Sequence, residues 1–227
     1  TNRVFLTKYK PDGQIDHTFT ADLGPVPKYD LSGIAESYGH QVVIGPDDLP
    51  LVVFETFEAP VFPFPPPSTI LSYANFGHLL HVAKLSAEGL PMFDTMAPVR
   101  DVSAFHQRLF FVGVHLATDD VGAAYVTYAG VGAGPAVIGD GIPSTLFDSS
   151  LIKVAPNGSV EFTRPLDGVA AGIAVDNQYN IYVAQTAIAD DQTTDVFISQ
   201  YDPMFEQLTS ASFGGSFNEF VRAIAID

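Results

Sequence analysis

The chain has 227 residues, no cysteine and no tryptophan, and 26 acidic against 10 basic residues, for a net charge of -16. The absence of cysteine excludes disulfides, zinc–thiolate centres and cysteine nucleophiles, and the acidity disfavours nucleic acid and anionic membranes. With 47% hydrophobic and 16% charged residues, the chain can bury the core of one large domain.

Phe and Tyr are plentiful and Gly and Pro punctuate the sequence, which predicts many strands and turns and no long helix. The opening residues Thr1-Asn-Arg-Val-Phe5 lack a signal-peptide pattern and read as a mature or trimmed end. Phe5-Leu-Thr-Lys8-Tyr-Lys-Pro-Asp-Gly13 then reads as a strand entering a hairpin turn, because Pro presets φ and Gly accepts φ > 0. A second kind of hairpin follows, in which Ile44-Gly-Pro-Asp47 leads through a turn to Val52-Val53-Phe54. Residues 58–75 form a Pro-rich insertion containing Val61, Phe62 and Phe64. They read either as an exposed polyproline-like strap or as a rigid loop laid over the domain's own strand edges.

The first pattern returns as His81-Val-Ala-Lys84-Leu-Ser-Ala-Glu-Gly89, and the second as Leu116-Ala-Thr-Asp119 before Ala124-Tyr125-Val126-Thr127. The apolar run at 109–116 is far shorter than the roughly 20 residues a spanning helix needs, so no membrane insertion is expected. A Gly-rich stretch at 128–141 reads as a loop. Its Gly-x-Gly-x-Gly spacing resembles phosphate loops, but Pro135 blocks a following helix and no Lys-Ser/Thr follows, so nucleotide binding is rejected. Ser150-Leu-Ile-Lys153-Val-Ala-Pro-Asn-Gly158 and Gly172-Ile-Ala-Val-Asp176-Asn-Gln-Tyr-Asn180-Ile-Tyr-Val-Ala184 continue the alternation. A weaker Phe197-Ile-Ser-Gln200-Tyr-Asp-Pro-Met-Phe205 follows, and Ile224-Ala-Ile-Asp227 opens one more copy.

Lys-type hairpins therefore begin near 4, 80, 150 and 195 and Asp-type hairpins near 42, 114, 171 and 222, within one domain over residues 1–227. Two hairpins per period make a four-stranded antiparallel blade, which must stack on its neighbours to bury its faces. The prediction is an all-β fold, a β-propeller with about four blades represented, one of them incomplete. Three explanations of the incomplete blade stand: a piece of a larger propeller, which is the favoured one; a four-bladed ring lacking one strand; or a strand supplied by a neighbouring subunit.

These copies resemble the bacterial seven-bladed-propeller (SBBP) repeats and, more loosely, the NHL-type repeats. The similarity is closest at 172–184 and 81–89, where Gly-Ile-Ala-Val-Asp…Asn-Ile-Tyr-Val-Ala and Val-Ala-Lys-Leu-Ser-x-x-Gly stand. The insertion at 58–75 and Pro46 and Pro50 depart from the pattern. The resemblance implies a propeller and no particular activity.

Chemistry is sparse in the sequence. Of six His residues, only His78 and His81 fall close together, and positions three apart on a strand face opposite sides. No His-Glu-x-x-His and no Gly-x-Ser-x-Gly occurs. Lys8, Lys84 and Lys153 recur at one position and read as stems packed on the blade, with the ammonium in solvent or paired with a nearby Asp of the repeat, rather than as an anion-binding ring. Paired carboxylates at Asp47, Asp48, Asp119 and Asp120 are the metal candidates, for calcium, weighed against simple capping of their turns. The partner-binding candidates are Val61, Phe62, Phe64, Ile224 and Ile226. The reading is a non-enzymatic extracellular or cell-surface module that binds protein or self-associates, even into a filament, through an open strand edge, with no cofactor. The alternative is an NHL-like lyase or lactonase holding calcium on the central axis.

Overall fold

The computed structural model describes residues 3–23, 35–58, 77–97, 109–133, 145–188 and 193–226. Its local architecture begins with one repeated turn. Asp119 donates its N–H to the Ala123 carbonyl, and the Gly122 N–H returns to the Asp119 carbonyl, both at 3.2 Å. The same pair of bonds closes the turns that open at Lys10, Gly45, Ser86, Ala155, Asp176 and Asp202. In each, the fourth residue is left-handed: Gly13, Asp48, Gly89, Gly122, Gly158, Tyr179 and Phe205, with φ between 59° and 89°. This is a type I turn followed by a left-handed residue, a geometry that suits the right-handed twist of a hairpin.

Those turns join strands into an all-β fold. A short N-terminal hairpin pairs β1 (Phe5–Leu6) with β2 (Ala21–Asp22). Blade one orders β3 (Ala35–Ile44), β4 (Pro50–Glu58), β5 (Gly77–Leu85) and β6 (Pro91–Ala97). Blade two orders β7 (Leu109–Thr118), β8 (Ala124–Ala133), β9 (Thr145–Val154) and β10 (Val160–Pro165). Blade three orders β11 (Val169–Val175), β12 (Ile181–Ile188), β13 (Thr194–Tyr201) and β14 (Gln207–Phe213). Every pairing is antiparallel. The strands are those of propeller blades, with the Asp-type hairpin supplying the first two and the Lys-type hairpin the last two.

The strands alternate, so each blade buries a different set of side chains on each face. Leu51, Val53, Leu80 and Val82 of blade one meet Val126, Tyr128, Ile152 and Val154 of blade two. The other face of blade two sends Tyr125 and Leu151 against Ile173, Ile181 and Val183 of blade three. The N-terminal hairpin closes Phe19, Ala21 and Leu23 over Val52, Phe54 and Ala83. Each core lies between blades, so a blade gains its roughly 1.5–3 kcal/mol per large buried side chain only by stacking.

Two sequence alignments are corrected by this geometry. Matching Asp47 with Asp119 and Asp176 is out of register, because the bonding that opens the turn falls on Gly45. The stretch read as a Gly-rich loop from 128 begins as strand, since 128–133 pair with 145–150. Residues 59–76, which hold Val61, Phe62 and Phe64, lie outside the described residues.

Candidate functional site

Carboxylates at the turns are engaged by the chain itself. Asp119 Oδ1 accepts the N–H groups of Val121 (3.2 Å) and Ala123 (2.8 Å), while Oδ2 accepts the Tyr125 hydroxyl at 3.0 Å. Asp176 repeats this with Gln178 and Asn180 N–H, both at 2.8 Å, and with the Tyr182 hydroxyl at 3.2 Å. Burial raises the Asp176 pKa, but the hydrogen bonds from Asn180, Gln178 and Tyr182 together hold it below the usual range. Burial, and then the charge of Asp119, push the Tyr125 hydroxyl far up. Asp202 caps the last hairpin in the same way through Met204 and Glu206 N–H.

The recurring lysines are paired within their own hairpin or blade. Lys8 lies 3.7 Å from Asp16, and Lys153 lies 2.9 Å from Glu161, the bulge residue of the returning strand. In blade one Met92 occupies that bulge, and Lys84 turns back to Asp47 on the preceding hairpin at 2.6 Å. In blade three both members change: Gln200 replaces the lysine, and Leu208 stands at the bulge.

Polar groups also gather around blade one. Gln41 clamps blade two by accepting the Leu116 N–H at 2.9 Å and donating to its carbonyl at 3.2 Å. Nearby, His40 Nε2 lies 3.7 Å from Glu55. Burial, and then the charge of His40, depress the His115 pKa. On β4 and β5, the Thr56 hydroxyl meets His81 Nε2 at 3.0 Å, and His81 Nδ1 meets Asp94 at 2.9 Å. Hydroxyl, imidazole and carboxylate in that order are the parts of a nucleophile relay. Here Thr56 is only 6% exposed, and the His81 ring is stacked on Phe54 at 4.8 Å. The relay therefore satisfies a buried hydroxyl and offers a substrate little access.

The sequence-predicted metal residues fall in two turns. Gly122 of the Asp119 turn lies against Pro46 and the Lys84 ammonium, so the two turns are neighbours. Asp48 holds the left-handed position of its turn, and Asp120 accepts a hydrogen bond from the Tyr179 hydroxyl. Calcium at these positions would have to displace Lys84 from Asp47 and the turn amides from Asp119. Among the described residues, no group of three or more His, Asp or Glu side chains is placed to hold a metal ion. Ile224 packs its backbone against Gly172 of β11, a close approach that a Cβ would obstruct, and Ile226 is exposed.

What the sequence reading missed is a set of exposed large apolar side chains on and around the last strand of blade three. Met204, Leu208, Phe213, Phe217 and Phe220 are all more than half exposed, and every residue of β14 is exposed. Bulk hydrophobicity gave no sign of it, because exposure depends on which side of the blade is covered. No family model matches the chain, and no curated protein matches it.

Proposed function

We propose that this chain is a non-catalytic propeller module that works by binding protein, with self-association as its main form, outside the cell or at the cell surface. The observation that carries this reading is the division of labour among its side chains. The acids and lysines that recur from blade to blade are consumed in turns and ion pairs. Leu208 and Phe213 on β14 and Phe217 and Phe220 just after it remain exposed, and exposed large apolar side chains of this kind mark contact surfaces. The acidic composition, with a net charge of -16, agrees with solubility outside the cell.

Sedimentation velocity across a concentration series tests this. The wild-type chain is expected to show a species of doubled or higher mass, and Phe217→Ser with Phe220→Ser is expected to weaken its formation. A chain that stays monomeric throughout would remove self-association.

A further inference from the structure

The outermost strands of the three blades are equivalent in place and unequal in chemistry. β6 carries Pro91 and Asp94, and β10 carries Glu161, Arg164 and Pro165. Prolines and charges of this kind protect a strand edge from pairing with another chain. β14, Gln-Leu-Thr-Ser-Ala-Ser-Phe, has neither over its 7 residues, and all of them are exposed. The Lys–acid pair that bridges the corresponding strands of blade two has also been replaced, by Gln200 and Leu208. Blade three thus departs from the repeat by losing its edge protection.

Resting on the self-association reading above, we propose that the outer edge of β14, which no described strand pairs, joins antiparallel with β14 of a second copy, making two blades one continuous sheet. An uncharged edge is where two copies of so acidic a chain can approach, and the flanking charges select the direction. Residues 207–218 contain no charged side chain, while Glu206 stands just before them and Glu219 just after. A parallel pairing would set Glu206 against Glu206, in a chain whose net charge is already -16. Antiparallel pairing sets each Glu206 against the uncharged stretch beyond the partner's strand. Leu208 is the bulge residue, so the regular ladder with β13 runs from Thr209 to Phe213 and centres on Ala211. A two-fold axis there brings Ala211 opposite Ala211 and Ser210 opposite Ser212, small side chains that admit close approach, with Thr209 opposite Phe213 at either end.

The absence of cysteine makes the test clean. Thr209→Cys, Ala211→Cys and Phe213→Cys are prepared singly and exposed to a mild oxidant. Only Ala211→Cys places two thiols face to face; the other two lie about 14 Å from their own copies along the strand, beyond disulfide reach. The expected result is a disulfide-linked dimer from Ala211→Cys and loss of linking at the flanking positions. Equal linking at all three, preference for a flanking position, or no linking at any would overturn the pairing. As a second measurement, Ser212→Lys is expected to keep the circular dichroism of the wild type and lose the doubled mass. A doubled mass without preference at 211 removes the β14 pairing alone. Absence of any doubled species removes the self-association reading with it.

Discussion

Lys84 Nζ lies 2.6 Å from Asp47 Oδ2, and the two ends of this pair sit in different surroundings: the Lys84 side chain is 8% exposed and that of Asp47 44%. The buried partner is the cation, on β5, and the carboxylate reaches it from the β3–β4 turn. A Cβ at Gly122, in the turn of blade two, would stand 3.7 Å from Lys84 Nζ, so the pair lies close to where two blades meet.

Truncating the two partners should therefore have unequal effects. Asp47→Ala strands an ammonium beneath the turn and is expected to cost about 2 kcal/mol, a value lowered from that of a fully buried pair by solvent at the carboxylate. Lys84→Met leaves a carboxylate that water can reach, fills the buried position with an apolar stem, and should cost less than about 1 kcal/mol. Urea unfolding of both variants checks the order; equal losses would mean that the pair is screened as a surface pair.

The same pair sets part of the acid limb. The hydrogen bond from Lys84 holds the Asp47 carboxyl below its usual range. A depressed carboxylate contributes stability above the unfolded-state pKa of about 3.9 and loses it as pH falls through the folded value. Asp47→Asn is expected to flatten the stability–pH curve below about pH 4, with little change in its slope near neutrality. An unchanged acid slope would assign that limb to other carboxylates, such as Asp16, which is also held low, chiefly by Thr18.

Backbone strain gives a contrasting pair of variants. Asp48 and Phe205 both occupy left-handed positions, at φ 59° and 64°. Asp48→Gly relieves that conformation and is expected to stabilise the chain by roughly 1 kcal/mol. Phe205→Gly relieves the same strain but removes a ring stacked on Tyr201 at 4.2 Å and tilted against Phe162 at 5.7 Å. Its net effect should be a loss of about 2 kcal/mol. Thermal melts of the two variants should move in opposite directions.

The limits of the sequence reading follow from these same positions. Pro-Asp-Gly at 11–13 and Pro-Asn-Gly at 156–158 announce their turns, because glycine stands where φ is positive. Tyr179 and Phe205 hide theirs, since neighbouring side chains rather than propensity hold them left-handed. The hairpin order and the blade composition were legible because both patterns recur. The Gly45 register was not, because Asp47 two residues on imitates the cap at Asp119. The Thr56–His81–Asp94 contacts cross three strands and depend on pairing register, which no local motif encodes. The bare edge of β14 emerges only once the outer strands are known to be equivalent.

Asp119 and Tyr125 carry the last prediction. Asp119 is buried, and its loss leaves two turn amides and a fully buried phenol without their acceptor. Asp119→Ala is expected to cost about 3 kcal/mol, and Asp119→Asn less, because its amide oxygen still accepts from the turn. Tyr125→Phe spares the amides and should cost only about 1 kcal/mol. The raised Tyr125 pKa adds a signature at high pH. Its stabilising share is complete below the unfolded-state value of about 10 and falls by about 1.4 kcal/mol per pH unit above it, because only the unfolded chain gives up the proton. Denaturant midpoints for wild type and Tyr125→Phe should therefore converge as pH rises past about 10. Parallel curves would show that the phenol ionises without unfolding, and would place water beside a group that blade two and blade three otherwise enclose.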